Sequence, residues 1–221
     1  MRSARIIGLI CAVISASSLA SNPNQFVVFD AAVFSNKPDT TKYGLKPIRL
    51  LEAGWTFPNG PSKLPDETSF KNVMRKAQAA DAKTPIVFDI EQWPTGCRAG
   101  TPPYTPEKFE TLVRWTREAA PKLKIGFYGV VPITNYWDAQ LPETDPRYIA
   151  WQKNNDCYRS LANQVDYIFP SLYTSYPAPE FTKGWIRFAT QNIQEVRRLS
   201  SKPVYPFIWM QYHDSTGLTR I

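Results

Sequence analysis

Residues 85–94 read PIVFDIEQWP, an apolar run that ends in two carboxylates and a tryptophan between flanking prolines. Ile86, Val87 and Phe88 are β-formers with no alternation of polarity, the pattern of a strand covered on both faces and so of a parallel sheet. Side chains two apart on a strand share a face, with Cα atoms ~6.6 Å apart. Asp89 and Glu91 therefore point one way, while Phe88 and Ile90 point the other, toward covering helices. A buried strand carrying its polar groups at the carboxyl end is the unit from which α/β enzymes are built.

Outward from this strand the same unit recurs. Residues 25–34 (QFVVFDAAVF) and 48–54 (IRLLEAG) are β-rich runs before it, and residues 69–80 read as a helix. After it, Thr105-Pro106 pairs an N-cap residue with proline at the first helical position. Phe109, Leu112, Val113, Thr116 and Ala119 or Ala120 then follow a 3.6-residue period. Residues 125–131 form a fourth strand, 145–162 a weaker helix, and 166–173 (DYIFPSLY) a fifth strand. A helix over 179–199 buries Phe181, Trp185, Phe188 or Ala189, Ile193 and Val196, and 204–211 (VYPFIWMQ) is a sixth strand. No repeat or linker interrupts the series, so residues 21–221 are expected to form one α/β domain with a parallel sheet. An open doubly wound sheet and a (β/α) TIM-like barrel both fit. The barrel is favoured because Glu52 and Trp55, Asp89, Glu91 and Trp93, Tyr136, Tyr173, and Gln211 with Tyr212 gather at the carboxyl ends of strands.

Composition narrows the chemistry. The 20 prolines among 221 residues shorten helices and disfavour bundles. A single His, His213, removes His-rich metal sites and leaves one candidate partner for a Ser or Cys nucleophile; it reads as a surface or hydrogen-bonding residue. No Gly-rich phosphate cradle is present. The expectation is a protein without metal or cofactor.

Arg2 and Arg5, the apolar stretch 6–14 and Ser18-Leu19-Ala20 have the form of a signal peptide over residues 1–20. The apolar stretch is shorter than the ~20 residues a membrane span needs. The expected mature chain is secreted or periplasmic, free of the membrane, and carries a net charge of +5 where the whole chain carries +7. Cleavage also removes Cys11, leaving Cys97 and Cys157, which can form one disulfide. Positive charge suits an anionic polysaccharide, whereas no basic cluster with interleaved aromatics points to nucleic acid. Arg197-Arg198 reads as the solvated end of a helix.

Two close carboxylates against an aromatic wall repel each other and resist ionisation, which raises one pKa toward the range of a general acid. Glycosidic cleavage uses such a pair, because the leaving oxygen must be protonated as the sugar develops positive charge. The alternative is an ordinary Asp and Glu at a strand end, paired with Arg or Lys. Trp93 and Trp209, with Trp55 and Trp137, are candidate surfaces for stacking sugar rings.

At these residues the chain resembles the hyaluronidase family of glycoside hydrolases found in venoms and animal tissues. Residues 87–93 (VFDIEQW) are similar to the family's catalytic strand, and 126–137 (GFYGVVPITNYW) to its next one. Residues 168–173 (IFPSLY) match its F-P-S-x-Y strand, 206–214 (PFIWMQYHD) resemble the strand after that, and 51–58 (LEAGWTFP) an early one. The resemblance implies a distorted barrel and a retaining, substrate-assisted mechanism, in which the acetamido oxygen of an N-acetylhexosamine attacks its own anomeric carbon. It implies that Glu91 is the acid and base, and that Asp89 holds the acetamido N–H. Tyr173 and, at a spacing one residue different, Tyr136 would position that group. The rival readings are the same chemistry on chitin-like or cell-wall glycans, and a non-catalytic carbohydrate-binding protein or inactive enzyme remnant. Residues 21–221 fall short of the ~250 of a full barrel. Set against the family, that length predicts a chain lacking its last helix–strand unit.

Overall fold

The computed structural model describes residues 26–32, 36–52, 54, 63–97, 105–209 and 212. The signal segment, Trp55, Gln211 and His213 lie outside the described residues. Strand β1 (Phe29–Asp30) pairs in parallel with β2 (Lys46–Pro47). The chain passes through Ile48 into β3 (Arg49–Glu52), which pairs in parallel with β4 (Ile86–Asp89), from Arg49 opposite Ile86 to Glu52 opposite Asp89. Strand β5 (Ile125–Phe127) lies parallel on the far side of β4. The sheet order then follows the chain through parallel bridges: Tyr128 with Phe169, Ile168 with Val204, and Ser171 with Phe207. The Phe29 ring meets Tyr205 edge-on at 4.9 Å, so the first strand and this last segment touch through side chains.

The expected fifth and sixth strands are thus single bridges rather than continuous ladders. Pro170, Pro203 and Pro206 explain the difference, since proline brings no N–H to a ladder. The carbonyls still serve: Ile168 N–H donates to Pro203 O at 3.0 Å and Phe207 N–H to Pro170 O at 2.8 Å.

Helices fill the connections. Helix α1 (Glu67–Ala80) is capped by the Asp66 carboxylate, which accepts from Ser69 N–H at 2.8 Å, and it buries Phe70 and Met74. Helix α2 (Thr105–Ala119) buries Phe109, Leu112, Val113 and Thr116, the face its period predicts, together with Trp115. The expected helix over 145–162 is two, α3 (Pro146–Asp156) and α4 (Arg159–Gln164). The break falls where Cys157 turns to its disulfide partner and Tyr158 is wholly buried.

Helix α5 (Thr182–Leu199) departs most from expectation. Its buried face is Phe188, Asn192, Glu195, Val196 and Leu199, whereas Ile186 is exposed and Ile193 half-buried. Burying Glu195 is tolerable because the Arg198 fork grips it at 2.7 and 2.8 Å and Gln152 donates to it at 3.1 Å. Arg198, exposed in the last turn as expected, also reaches Asp156 at 2.7 Å and so ties α5 to α3.

The main core lies between β4, β5 and the helices over them, where the rings of Phe70, Phe88, Phe109, Phe127, Trp93 and Trp115 meet. The other face of β5 is closed tightly. A Cβ on Gly126 would lie 2.7 Å from the Phe169 ring and collide with the Tyr167 carbonyl. Gly126→Ala is therefore expected to destabilise the fold by about 1–3 kcal/mol, read as a lowered urea midpoint with an unchanged slope.

Candidate functional site

Strand alternation decides what reaches the carboxyl end of the sheet. Ile86, Phe88 and Ile90 are buried against the helices, which turns Val87 and Asp89 to the opposite face. Glu52, the last residue of β3, stands directly opposite Asp89 in register. Glu91 follows in the turn after β4 and is exposed. Three carboxylates thus converge. Asp89 carries the consequence: burial first, then the charges of Glu91 and Glu52, push its carboxyl up to about 6. Its Oδ1 is buried without a hydrogen-bond partner among the described residues.

Two tyrosines face this group. The Tyr173 hydroxyl is pushed up by burial and by the charges of Asp89 and Glu91, against a hydrogen bond from Tyr128 that lowers it. The Tyr128 hydroxyl is pushed up by burial and also feels Glu91. Tyr128 Oη lies 2.9 Å from Ser171 Oγ, and the Trp209 ring packs on Tyr173 with centroids 5.2 Å apart. The structure therefore brings Asp89, Glu91, Tyr173 and Trp209 into one neighbourhood.

Tyr136 belongs to a different aromatic group. Its ring packs on Trp137, Tyr176 and Phe188 with centroids 5.1–5.5 Å away, at the foot of α5. Trp93 requires a correction as a sugar-stacking surface. Only 1% exposed, its indole lies edge-on to Phe109 at 4.9 Å with the Lys108 ammonium over it. The turn after β4 folds Trp93 back onto α2, where burying a large ring is more favourable than leaving it in water. It supports the acid-bearing turn from beneath. Cys97 and Cys157 are joined, with Cα atoms 6.0 Å apart, and Gly96 N–H donates to Tyr158 Oη at 3.3 Å. The same turn is thereby fastened to α4.

Tyr128 and Ser171 were not among the sequence's site candidates, and Glu52 was named only as one of the polar groups at strand ends. The signal was present as period two: Tyr128 shares a face with Gly126, and Ser171 with Tyr173. Glu52 needed the register of β3 against β4, which no local pattern carries.

The described strands thus form a parallel α/β arrangement with carboxylates and tyrosines at its carboxyl edge. Among solved structures the chain is similar to bee venom hyaluronidase, with a TM-score of 0.55 and 16% identity over 82% of this chain and 76% of that one. It is likewise similar to bee venom hyaluronidase in complex with a hyaluronic acid tetramer, with a TM-score of 0.54 and the same identity and coverage. The fold is hyaluronidase-like. No family model and no curated protein matches the sequence.

The displaced carboxyl of Asp89 has a stability consequence. Between the ordinary carboxyl value of 3.8 and about 6 the unfolded chain gives up this proton while the folded chain keeps it. Stability attributable to Asp89 therefore falls as pH rises through that window. Asp89→Asn is expected to stabilise the fold above it by about 1 kcal/mol, after discounting for the solvated part of the carboxyl. The gain should vanish below the window, and thermal melts at pH 3.5 and pH 8 read the difference.

Proposed function

We propose that the protein is a retaining glycoside hydrolase that cleaves a β-linked polysaccharide containing N-acetylhexosamine, of the hyaluronan type, by substrate-assisted catalysis. The observation that carries this reading is the Asp89–Glu91 pair at the end of β4, faced by Tyr173, within a hyaluronidase-like fold. Glu91, exposed in the turn, is the group a bound chain can reach. Its proton passes to the leaving glycosidic oxygen as the acetamido oxygen bonds to the anomeric carbon and the glycosidic bond breaks. Glu91 then takes a proton from water, which attacks the same carbon and releases the acetamido oxygen. The anomeric configuration is retained after two inversions. The intramolecular nucleophile arrives already positioned.

Asp89 sits where it can hold the acetamido N–H, and its shielding strengthens that contact. Trp209 offers an apolar face beside Tyr173. The positive charge of the chain favours an acidic polymer, and one solved neighbour was crystallised with a hyaluronic acid tetramer. Export through the expected signal segment agrees with the disulfide, since such bonds persist in oxidising compartments.

The decisive experiment is Glu91→Gln assayed on hyaluronan, chondroitin and chitin oligomers. The expected loss of kcat is about 10²–10⁴-fold, the span usual for a general acid–base group. Unchanged cleavage by the mutant removes Glu91 from the mechanism. Binding of oligosaccharide without release of reducing ends by the unmutated chain would instead mark a carbohydrate-binding protein.

A further inference from the structure

Glu91 stands beyond the end of the sheet. The ladder of β4 stops with Asp89 opposite Glu52, and Glu91 lies two residues further on, exposed in a turn. Strand pairing therefore does not set the place of this carboxyl. The contacts that hold residues 90–97 set it instead.

The near end of the turn is held by burial. Ile90 and Trp93, on either side of Glu91, are both buried, and the Trp93 indole lies against Phe109 of α2. The far end is held at two successive residues by two successive residues: Gly96 N–H donates to Tyr158 Oη at 3.3 Å, and Cys97 is bonded to Cys157. Tyr158 is well fixed for this task. Its side chain is wholly buried, and its ring centroid lies 6.3 Å from that of the same Phe109 that meets Trp93. Its backbone sits at the junction of α3 and α4, where Tyr158 N–H donates to Asn155 O at 2.9 Å and Ala162 N–H donates to Tyr158 O at 2.8 Å.

The two far-end anchors do different things. A disulfide limits how far Cys97 can move from Cys157, but rotation about its side-chain bonds leaves the direction of the arriving backbone open. A hydrogen bond one residue earlier closes that freedom, because two consecutive points define a direction where one defines only a distance. The Tyr158 ring supplies packing that a Phe would supply equally; the hydroxyl supplies the directed bond.

We propose that Tyr158 is a positioning residue for Glu91: its hydroxyl, holding Gly96 N–H beside the Cys97–Cys157 cross-link, sets the course of residues 90–97 and with it the place of the Glu91 carboxyl at the glycosidic oxygen. The proposal rests on the hydrolase reading above and assigns a role to a buried residue that touches no substrate. Proton transfer needs its heavy atoms within about 2.6–3.2 Å, and a misplacement of about 1 Å costs on the order of 10²-fold. A turn that carries the acid is therefore sensitive to how its far end is fastened.

The test is a double-mutant cycle on the full chain with Tyr158→Phe, Glu91→Gln and the double variant. Gly96 is only partly buried, so water can take up its N–H in Tyr158→Phe, and the melting temperature is expected to stay close to that of the unmutated protein. The kcat of Tyr158→Phe is expected to fall about tenfold with KM changed less than about twofold, and the double variant to be no slower than Glu91→Gln alone. Losses that multiply, or a Tyr158→Phe enzyme with full kcat, overturn the proposal. Should Tyr158→Phe melt early, the paired change Cys97→Ser and Cys157→Ser opens the clamp at the adjoining residues. The same cycle then applies, run below that variant's melting temperature.

A second readout needs no turnover. Hydrogen exchange of the Gly96 amide is expected to quicken about tenfold in Tyr158→Phe, since that bond is its protection. Unchanged exchange overturns the clamp whatever the activity. Failure of the hydrolase reading shows itself separately, as a Glu91→Gln variant that cleaves like the unmutated protein.

Discussion

Everything at the carboxyl end of the sheet depends on the two-sidedness of β4. Ile86, Phe88 and Ile90 are buried among the rings and aliphatic groups under α1 and α2, and that burial locks the strand against slipping. A shift of one residue would drive Asp89 into the helix interface and expose Phe88. Burying one such ring is worth roughly 1.5–3 kcal/mol, and inserting a carboxylate in its place costs more. The face that holds the acids is thus set by side chains that never approach them.

The acids sit at a cost that the rest of the molecule offsets. Asp89, shielded and beside two other carboxylates, is held where its charge is unfavourable. Two shielded carboxylates elsewhere are matched. Asp166 is pushed up by burial, but the Ile125 N–H, Arg117 and Lys124 bring it below its ordinary value, and it pins the start of β5 from the opposite end of the strand. Glu195 and Arg198 do the same between α5 and α3. Among the described residues, the buried carboxylate oxygen without a hydrogen-bond partner is Asp89 Oδ1, at the carboxyl edge, the position expected where function and stability compete.

Much of this was legible from sequence, because the apolar strands and the α2 stripe use periods that packing obeys. The α/β class and the starts of β4 and α2 follow from spacing, whereas β4 ends at Asp89 and leaves Glu91 in the turn beyond the expected strand. What escaped has physical causes. The stripe of α5 was misplaced because Asn192 is buried while donating to Phe188 O of its own helix and Glu195 while accepting from Gln152 of α3, and polarity scales assume no partner. Trp93 was misjudged because a turn, not a continued strand, follows Asp89. The strands around Pro170, Pro203 and Pro206 were overextended, since apolar content marks burial but not the supply of donors.

The bond between Cys97 and Cys157 encloses 60 residues of separation, and within that span lie α2, β5, Tyr128 and Tyr136. Closing so long a loop removes about 4 kcal/mol of chain entropy from the unfolded ensemble. It also makes the enclosed part a covalent ring. A single peptide-bond cut between the two cysteines would open the ring without releasing a fragment, so β4 with its carboxylates and the 168–173 segment with its tyrosine would stay one molecule. For a chain that meets proteases, the cross-link acts as a second path of connectivity around α2 and β5.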